Sequence, residues 1–144
     1  MLVDTNIFLR AARGPYPWMR EVDRLVESAI IRVPSTVFDE LDALAREHVP
    51  GAPTARALAQ RHRAVTSPGS GDAAILSAAR RLHAIVLTAD RELQRRSRAA
   101  GLSVLVPRDQ QRLELLGGTP TIVRRHGTPV SIMNRERLVR PDSR

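Results

Sequence analysis

The chain is predicted to fold as a three-layer α/β/α sandwich around a central, mainly parallel sheet, with a C-terminal β-hairpin. Three observations carry this expectation. Short apolar runs of strand character, at residues 1–3, 30–33, 85–88 and 102–106, alternate with stretches of helical spacing. Alternation of this kind builds a parallel sheet covered on both faces. The strand-like runs end in polar or breaking residues, among them Asp4-Thr5-Asn6, Pro34-Ser35 and Asp90. The length, 144 residues, suffices for one domain with a real core.

The elements follow in order. Residues 1–4 read as a short strand closed by Asp4. Between about 17 and 30, Trp18, Val22, Leu25, Val26 and Ala29 recur at helical spacing. Ile30 to Val33 is strand-like and is ended by Pro34-Ser35. Thr36 to about His48 reads as a helix with Phe38, Leu41 and Ala45 on one face, and Pro50-Gly51-Ala52-Pro53 breaks it. A further helix is expected over about 54–64, then a loop from Thr66 to Gly71. From Asp72 to about Leu82 a helix turns Ile75, Leu76, Ala79 and Leu82 inward. Ile85 to Thr88 is a buried strand. Arg91 to Ala100 is helical and stops at Gly101, which suits the left-handed residue after a helix. Leu102 to Val106 is the last strand of the main domain.

After Gly117-Gly118 the character changes. Thr121-Ile122-Val123 and Val130-Ser131-Ile132-Met133 flank His126-Gly127-Thr128-Pro129 and read as a hairpin, followed by a basic tail. The expected division is therefore 1–118 for the main domain and 119–144 for the extension. A lone hairpin is marginal in water. This one is expected to pack on the core or across a homodimer.

The formal net charge is +8 and every basic residue is Arg. Such a balance attracts polyanions. The only aromatic residues are Phe8, Tyr16, Trp18 and Phe38, too few for a base-stacking platform. Contact with a nucleic acid is thus expected mostly at phosphate and sugar. The absence of cysteine excludes disulfides, thiolate metal sites and a cysteine nucleophile. The four histidines (48, 62, 83 and 126) are scattered and read as surface or packing residues. No apolar run approaches the roughly 20 residues of a membrane span. No signal peptide is evident, so a cytoplasmic location is expected.

Four acidic residues carry the chemistry. Asp4 ends the first strand, Glu40 lies in the first turns of a helix, Asp72 opens another, and Asp90 follows a strand. Each alone has an ordinary reading as a turn residue, a solvated helix acid or an N-cap. In parallel β/α units, however, strand C-termini and the following helix N-termini share one edge of the sheet. Two unscreened charges about 4 Å apart repel by roughly 4 kcal/mol at an intermediate effective dielectric. A divalent cation removes that cost, and oxygen-only ligands favour Mg²⁺ or Mn²⁺. Asp42 and Glu92 are expected to turn away from such a cluster.

Four blocks, Val3-Asp4-Thr5-Asn6, Val33-Pro34-Ser35-Thr36-Val37-Phe38-Asp39-Glu40-Leu41, Gly71-Asp72-Ala73-Ala74-Ile75-Leu76 and Leu87-Thr88-Ala89-Asp90-Arg91-Glu92-Leu93, occur in this order. In sequence and context they resemble the PIN domain, a family of metal-dependent ribonucleases that includes archaeal and VapC-like members. The resemblance covers about residues 1–106. Ala89 departs from the Asn that members often carry there, and the segment after Gly118 falls outside the common core. The resemblance implies hydrolysis of RNA phosphodiesters to leave a 5′-phosphate. It implies Asp4, Glu40, Asp72 and Asp90 as the catalytic, metal-holding set for Mg²⁺ or Mn²⁺. Thr5, Asn6 and Thr88 would support these ligands, and Arg13, Arg91 and Arg95 would contact RNA. Two roles are open, a toxin restrained by an antitoxin protein and an RNA-processing enzyme. The rival reading is a non-catalytic RNA-binding module of a larger assembly. A pure binder would gain from losing negative charge near phosphates, which weighs against it.

Overall fold

A computed structural model describes residues 1–117 and the short segments 121–123 and 129–131. Strand β1 (Leu2–Val3) leads into α1 (Thr5–Ala12), then α2 (Trp18–Leu25), β2 (Arg32–Pro34), α3 (Ser35–Arg46) and α4 (Ala52–Ala59). These are followed by β3 (Arg63–Val65), α5 (Gly71–Leu82), β4 (Val86–Leu87), α6 (Arg91–Ala99), β5 (Val104–Pro107) and β6 (Leu113–Leu116). The six strands form one sheet in the order β3-β2-β1-β4-β5-β6, parallel except for the antiparallel β5–β6 hairpin. The α/β architecture with a mainly parallel sheet is therefore as expected. Strands β7 (Thr121–Val123) and β8 (Pro129–Ser131) pair antiparallel as a separate hairpin, with Ile122 opposite Val130. Ile132, Met133 and the basic tail lie outside the described residues. Among the described residues no helix is long and apolar enough to cross a membrane.

The strand order fixes where a site can form. From β1 the chain moves outward to β2 and β3, then returns through α5 to place β4 on the other side of β1. The reversal falls between β1 and β4, and the carboxyl ends of the strands at such a point are where open parallel sheets bind ligands. Helices α1, α3 and α4 pack on one another, and α5 packs on α6. Right-handed crossovers in opposite directions along a sheet place helices on its two faces.

Burial explains why such short strands suffice. Leu2 and Val3 are fully enclosed between β2 and β4, and Ile7, Phe8, Val33, Val37, Leu41, Ile75, Leu87, Leu93 and Leu105 complete the centre. The rings of Phe8, Trp18 and His62 meet at centroid distances of 5.8, 6.1 and 5.7 Å. His62 is thus a packing residue, as the sequence suggested.

Several local assignments differ from the sequence reading. Residues 5–12 form a helix, because the Asp4 carboxylate accepts the Thr5 N–H and the face carrying Ile7 and Phe8 is buried. Thr and Asn there favour turns locally, and burial overrides them. The second helix ends at Leu25, with Val26 already extended. The helix expected to reach residue 64 stops at Ala59, and Arg63–Val65 pairs with β2 as an edge strand. Strand β6 was not foreseen. It follows the Asp109 turn, where Oδ1 accepts the N–H groups of Gln111 and Arg112.

The outer edge of β6 is capped by a side chain. Glu21 of α2 accepts the buried Leu113 N–H at 3.0 Å and a two-pronged contact from Arg24 at 3.0 and 2.9 Å. Those hydrogen bonds, Arg24 first, hold the Glu21 carboxyl down at about 2. Its stabilising contribution is therefore complete above the ordinary carboxylate range and is lost as pH falls toward 2. Glu21→Ala should lower the melting temperature by several degrees at neutral pH, because it orphans a buried N–H. Arg24→Ala should cost much less, its side chain being 55% exposed. Equal melting of Glu21→Ala and wild type would show that the cap is dispensable.

Candidate active site

Asp4, Glu40, Asp72 and Asp90 lie near enough to the ends of β1 and β4 for their charges to act on one another. Asp4 ends β1 and is 5% exposed. Asp90 follows β4 and caps α6, its Oδ1 accepting the Leu93 N–H at 2.9 Å. Glu40 stands on α3 and is exposed, but its Oε1 accepts the Thr5 hydroxyl at 2.7 Å, which ties it to the end of β1. Asp72 lies in the first turn of α5 and is partly buried.

One hydroxyl links the two central strand ends. Thr88 Oγ1 donates to Asp4 Oδ2 at 2.6 Å and accepts the Asp90 N–H at 3.0 Å. Asn6 adds a parallel tie: its Nδ2 donates to Asp4 Oδ2 at 3.1 Å and its Oδ1 accepts the Ala89 N–H at 3.0 Å. This last bond uses the backbone of residue 89, so Ala serves there. Gln94 Nε2 in turn donates to the Thr88 carbonyl at 3.0 Å. Thr5, Asn6 and Thr88 thus all touch or brace the carboxylates.

A second brace was not foreseen. Ser67, 2% exposed, precedes the loop that carries Asp72. Its Oγ accepts the Thr36 N–H at 3.0 Å, and its own N–H donates to Ser35 Oγ at 2.9 Å. The N-terminus of α3, which follows Pro34 and has no cap of its own, is closed from a distant loop. The helix bearing Glu40 and the loop leading to Asp72 are thereby fixed to each other.

The electrostatics reflect crowding of like charges. Burial, above all, pushes the Asp4 carboxyl up to about 6, against hydrogen bonds from Thr88 and Thr5, and the Glu40 and Asp72 charges add to the rise. Asp72 is also raised, first by burial and then by Asp90, with Arg96 opposing and Glu40 and Glu92 contributing. Glu92 is exposed and paired with Arg95 at 2.6 Å, and its charge adds only the last contribution to the rise at Asp72. Asp42 is turned aside to Arg56 at 2.9 Å, as expected.

The donor set is entirely oxygen. Among the described residues no group of three or more acidic or imidazole side chains stands close enough together to hold a metal ion. An open arrangement of carboxylates fits a hard cation that keeps several waters and uses one or two protein ligands directly, as Mg²⁺ does.

Arginines gather on one flank. Arg91 and Arg95 line a depression of about 670 Å³ together with Arg10, Arg98 and Arg108. Arg13 lines a smaller neighbouring one of about 300 Å³, which also includes Arg10 and Tyr16. The spacing 91, 95, 98 marks one helix face, a signal sufficient to have identified Arg98 from the sequence.

Fold and site together define a class. A family model described as a PIN-like domain matches residues 1–110, and the chain belongs to that family. Among solved structures, the PIN domain endonuclease Utp24 superposes with a TM-score of 0.62 at 20% identity, over 81% of this chain and 91% of that one. A domain of a functionally unknown protein from Methanocaldococcus jannaschii DSM 2661 gives 0.57 at 18% identity, over 75% and 90%. At such identities the likeness concerns the fold. No curated protein matches the chain.

Proposed function

We propose that the protein is an endoribonuclease dependent on Mg²⁺ or Mn²⁺, built on residues 1–118. The observation that carries this reading is the joining of Asp4 and Asp90 through one Thr88 hydroxyl at the topological switch point, with Glu40 and Asp72 coupled to them by charge. Asp4 and Asp90 would hold the cation, and Asp72 and Glu40 would complete its surroundings directly or through water. When bound, such a cation polarises a phosphate oxygen and makes water a nucleophile near neutral pH. The chain's own part is orientation. Asn6 and Thr88 fix the Asp4 carboxylate, and Thr5 holds Glu40 toward it. Family membership supports hydrolysis that leaves a 5′-phosphate, and the arginine flank supports RNA as the substrate.

The test is incubation of the purified chain with a mixed single-stranded RNA pool. Cleavage to 5′-phosphorylated products is expected with Mn²⁺ or Mg²⁺ and should stop with EDTA. RNA binding without cleavage under any divalent ion would establish a binding module instead. Growth arrest relieved by a co-expressed small partner would mark an antitoxin-controlled toxin. Accumulation of one uncut precursor in cells lacking the protein would mark an RNA-processing enzyme.

A further inference from the structure

The arginine-lined depression lies at the same sheet edge as the carboxylates but on one side of them. Arg108 follows the carboxyl end of β5, and Arg91, Arg95 and Arg98 stand on α6, which starts at Asp90. Glu40 and Asp72 follow β2 and β3, on the opposite flank of β1. Charge across the edge is therefore polarised, with acidic groups toward β2–β3 and basic groups toward β5–β6. Within the depression the arginines are not equivalent. Arg95 is held by Glu92 and Arg108 by Glu114 at 2.8 Å. Arg10, Arg91 and Arg98 are exposed and make no ion pair among the described residues. Ala89, Val106, Pro107 and Leu116 give the floor an apolar share, and Gln94, tied to the Thr88 carbonyl, connects it to the strand ends that carry the carboxylates.

We propose that this trough binds the phosphodiester backbone of a single strand, so that the substrate approaches the carboxylates from the β5–β6 side, with Arg10, Arg91 and Arg98 as the phosphate contacts. The proposal deepens the nuclease reading and rests on it for the position of the cut. A volume of about 670 Å³ falls within the few hundred to a thousand Å³ of sites that enclose a small ligand, which suits part of one strand rather than a duplex. Guanidinium groups match phosphate in planar, forked geometry. The shortage of aromatic side chains is no obstacle, because backbone contact does not need stacking.

The experiment measures binding of labelled oligouridine and oligothymidine by anisotropy in EDTA, as a function of salt. Both should bind, since phosphate is the shared contact. Preference for oligouridine would add a contribution from the 2′-hydroxyl. Arg10→Gln, Arg91→Gln and Arg98→Gln should each flatten the slope of log K against log salt by about 0.7 per lost contact. Arg20→Gln and Arg80→Gln are exposed and line neither depression, so they should leave the slope unchanged. Unchanged melting of all five variants keeps the comparison clean. Trough variants that behave like the controls would overturn the proposal, as would displacement of the strand by poly-glutamate at equal charge. Trough-dependent binding with no cleavage under any metal would uphold this inference and defeat the nuclease reading. Cleavage with no dependence on the trough would do the reverse.

Discussion

Asp4→Asn is expected to leave the protein folded while lowering RNA cleavage by on the order of 10²–10³-fold, the loss typical when one electrostatic element of a site is removed. The amide has nearly the shape of the carboxylate but not its charge. The same variant should change how stability depends on pH. Asp4 titrates in the folded, metal-free protein at about 6 instead of 3.8, chiefly because it is buried. A carboxyl raised by folding contributes stability below its unfolded value and loses it as pH rises through the folded one. The metal-free wild type should therefore melt lower at pH 7 than at pH 5. A shift of about two units corresponds to an upper bound of about 3 kcal/mol. In Asp4→Asn that slope should flatten, whatever the absolute melting temperature. The latter also reflects an amide NH₂ facing the Thr88 and Asn6 donors. Metal adds the opposite dependence, since its ligands must be ionised. Apparent Mn²⁺ affinity should fall as pH drops below about 6. An Asp4→Asn variant whose metal-free melting varies with pH from 5 to 7 just as the wild type's does, or one that cuts RNA normally, would remove Asp4 from the site.

Thr88→Val is expected to be nearly as damaging, although Thr88 would touch no substrate. The substitution conserves shape and deletes one hydroxyl that serves Asp4 and the Asp90 N–H together. Thr88 is fully buried; without its hydroxyl Asp4 Oδ2 keeps only the Asn6 donor and the Asp90 N–H loses its partner. The cost should be about 1–3 kcal/mol in stability. Loss of an outer hydrogen bond to a metal ligand typically lowers metal affinity or activity 10–100-fold. Thr88→Ser keeps the hydroxyl and should restore most activity while losing only a methyl group. If Val and Ser variants cut RNA equally well, the bridge has no role beyond packing.

The candidate site was more legible in the sequence than the elements around it. Asp4, Asp72 and Asp90 sit at strand ends or helix starts, and the position of a residue in a β/α repeat is enough to assign it an edge. Thr88 and Asn6 could be placed by the same logic, but their partners could not, because a hydrogen bond such as Asn6 to the Ala89 N–H depends on the register of β1 against β4. Ser67 stayed hidden for that reason: its partners lie 31 and 32 residues away. Strand β3 was invisible because Arg63 and Ala64 are exposed and carry no apolar alternation, so only pairing with β2 makes them a strand. Missing α1 had a functional consequence, since without that helix Arg10 had no reason to be placed beside Arg91.

The tie between Asp4 and Thr88 spans 84 residues of chain. Asp4 is synthesised 84 residues before the hydroxyl that links it to Asp90. Contacts of such sequence separation form late, because the intervening loop must first be closed. A nascent chain that has not yet released β4 from the ribosome has no joined pair of carboxylates. The linked pair therefore waits for synthesis to pass Asp90 and for β4 to dock beside β1.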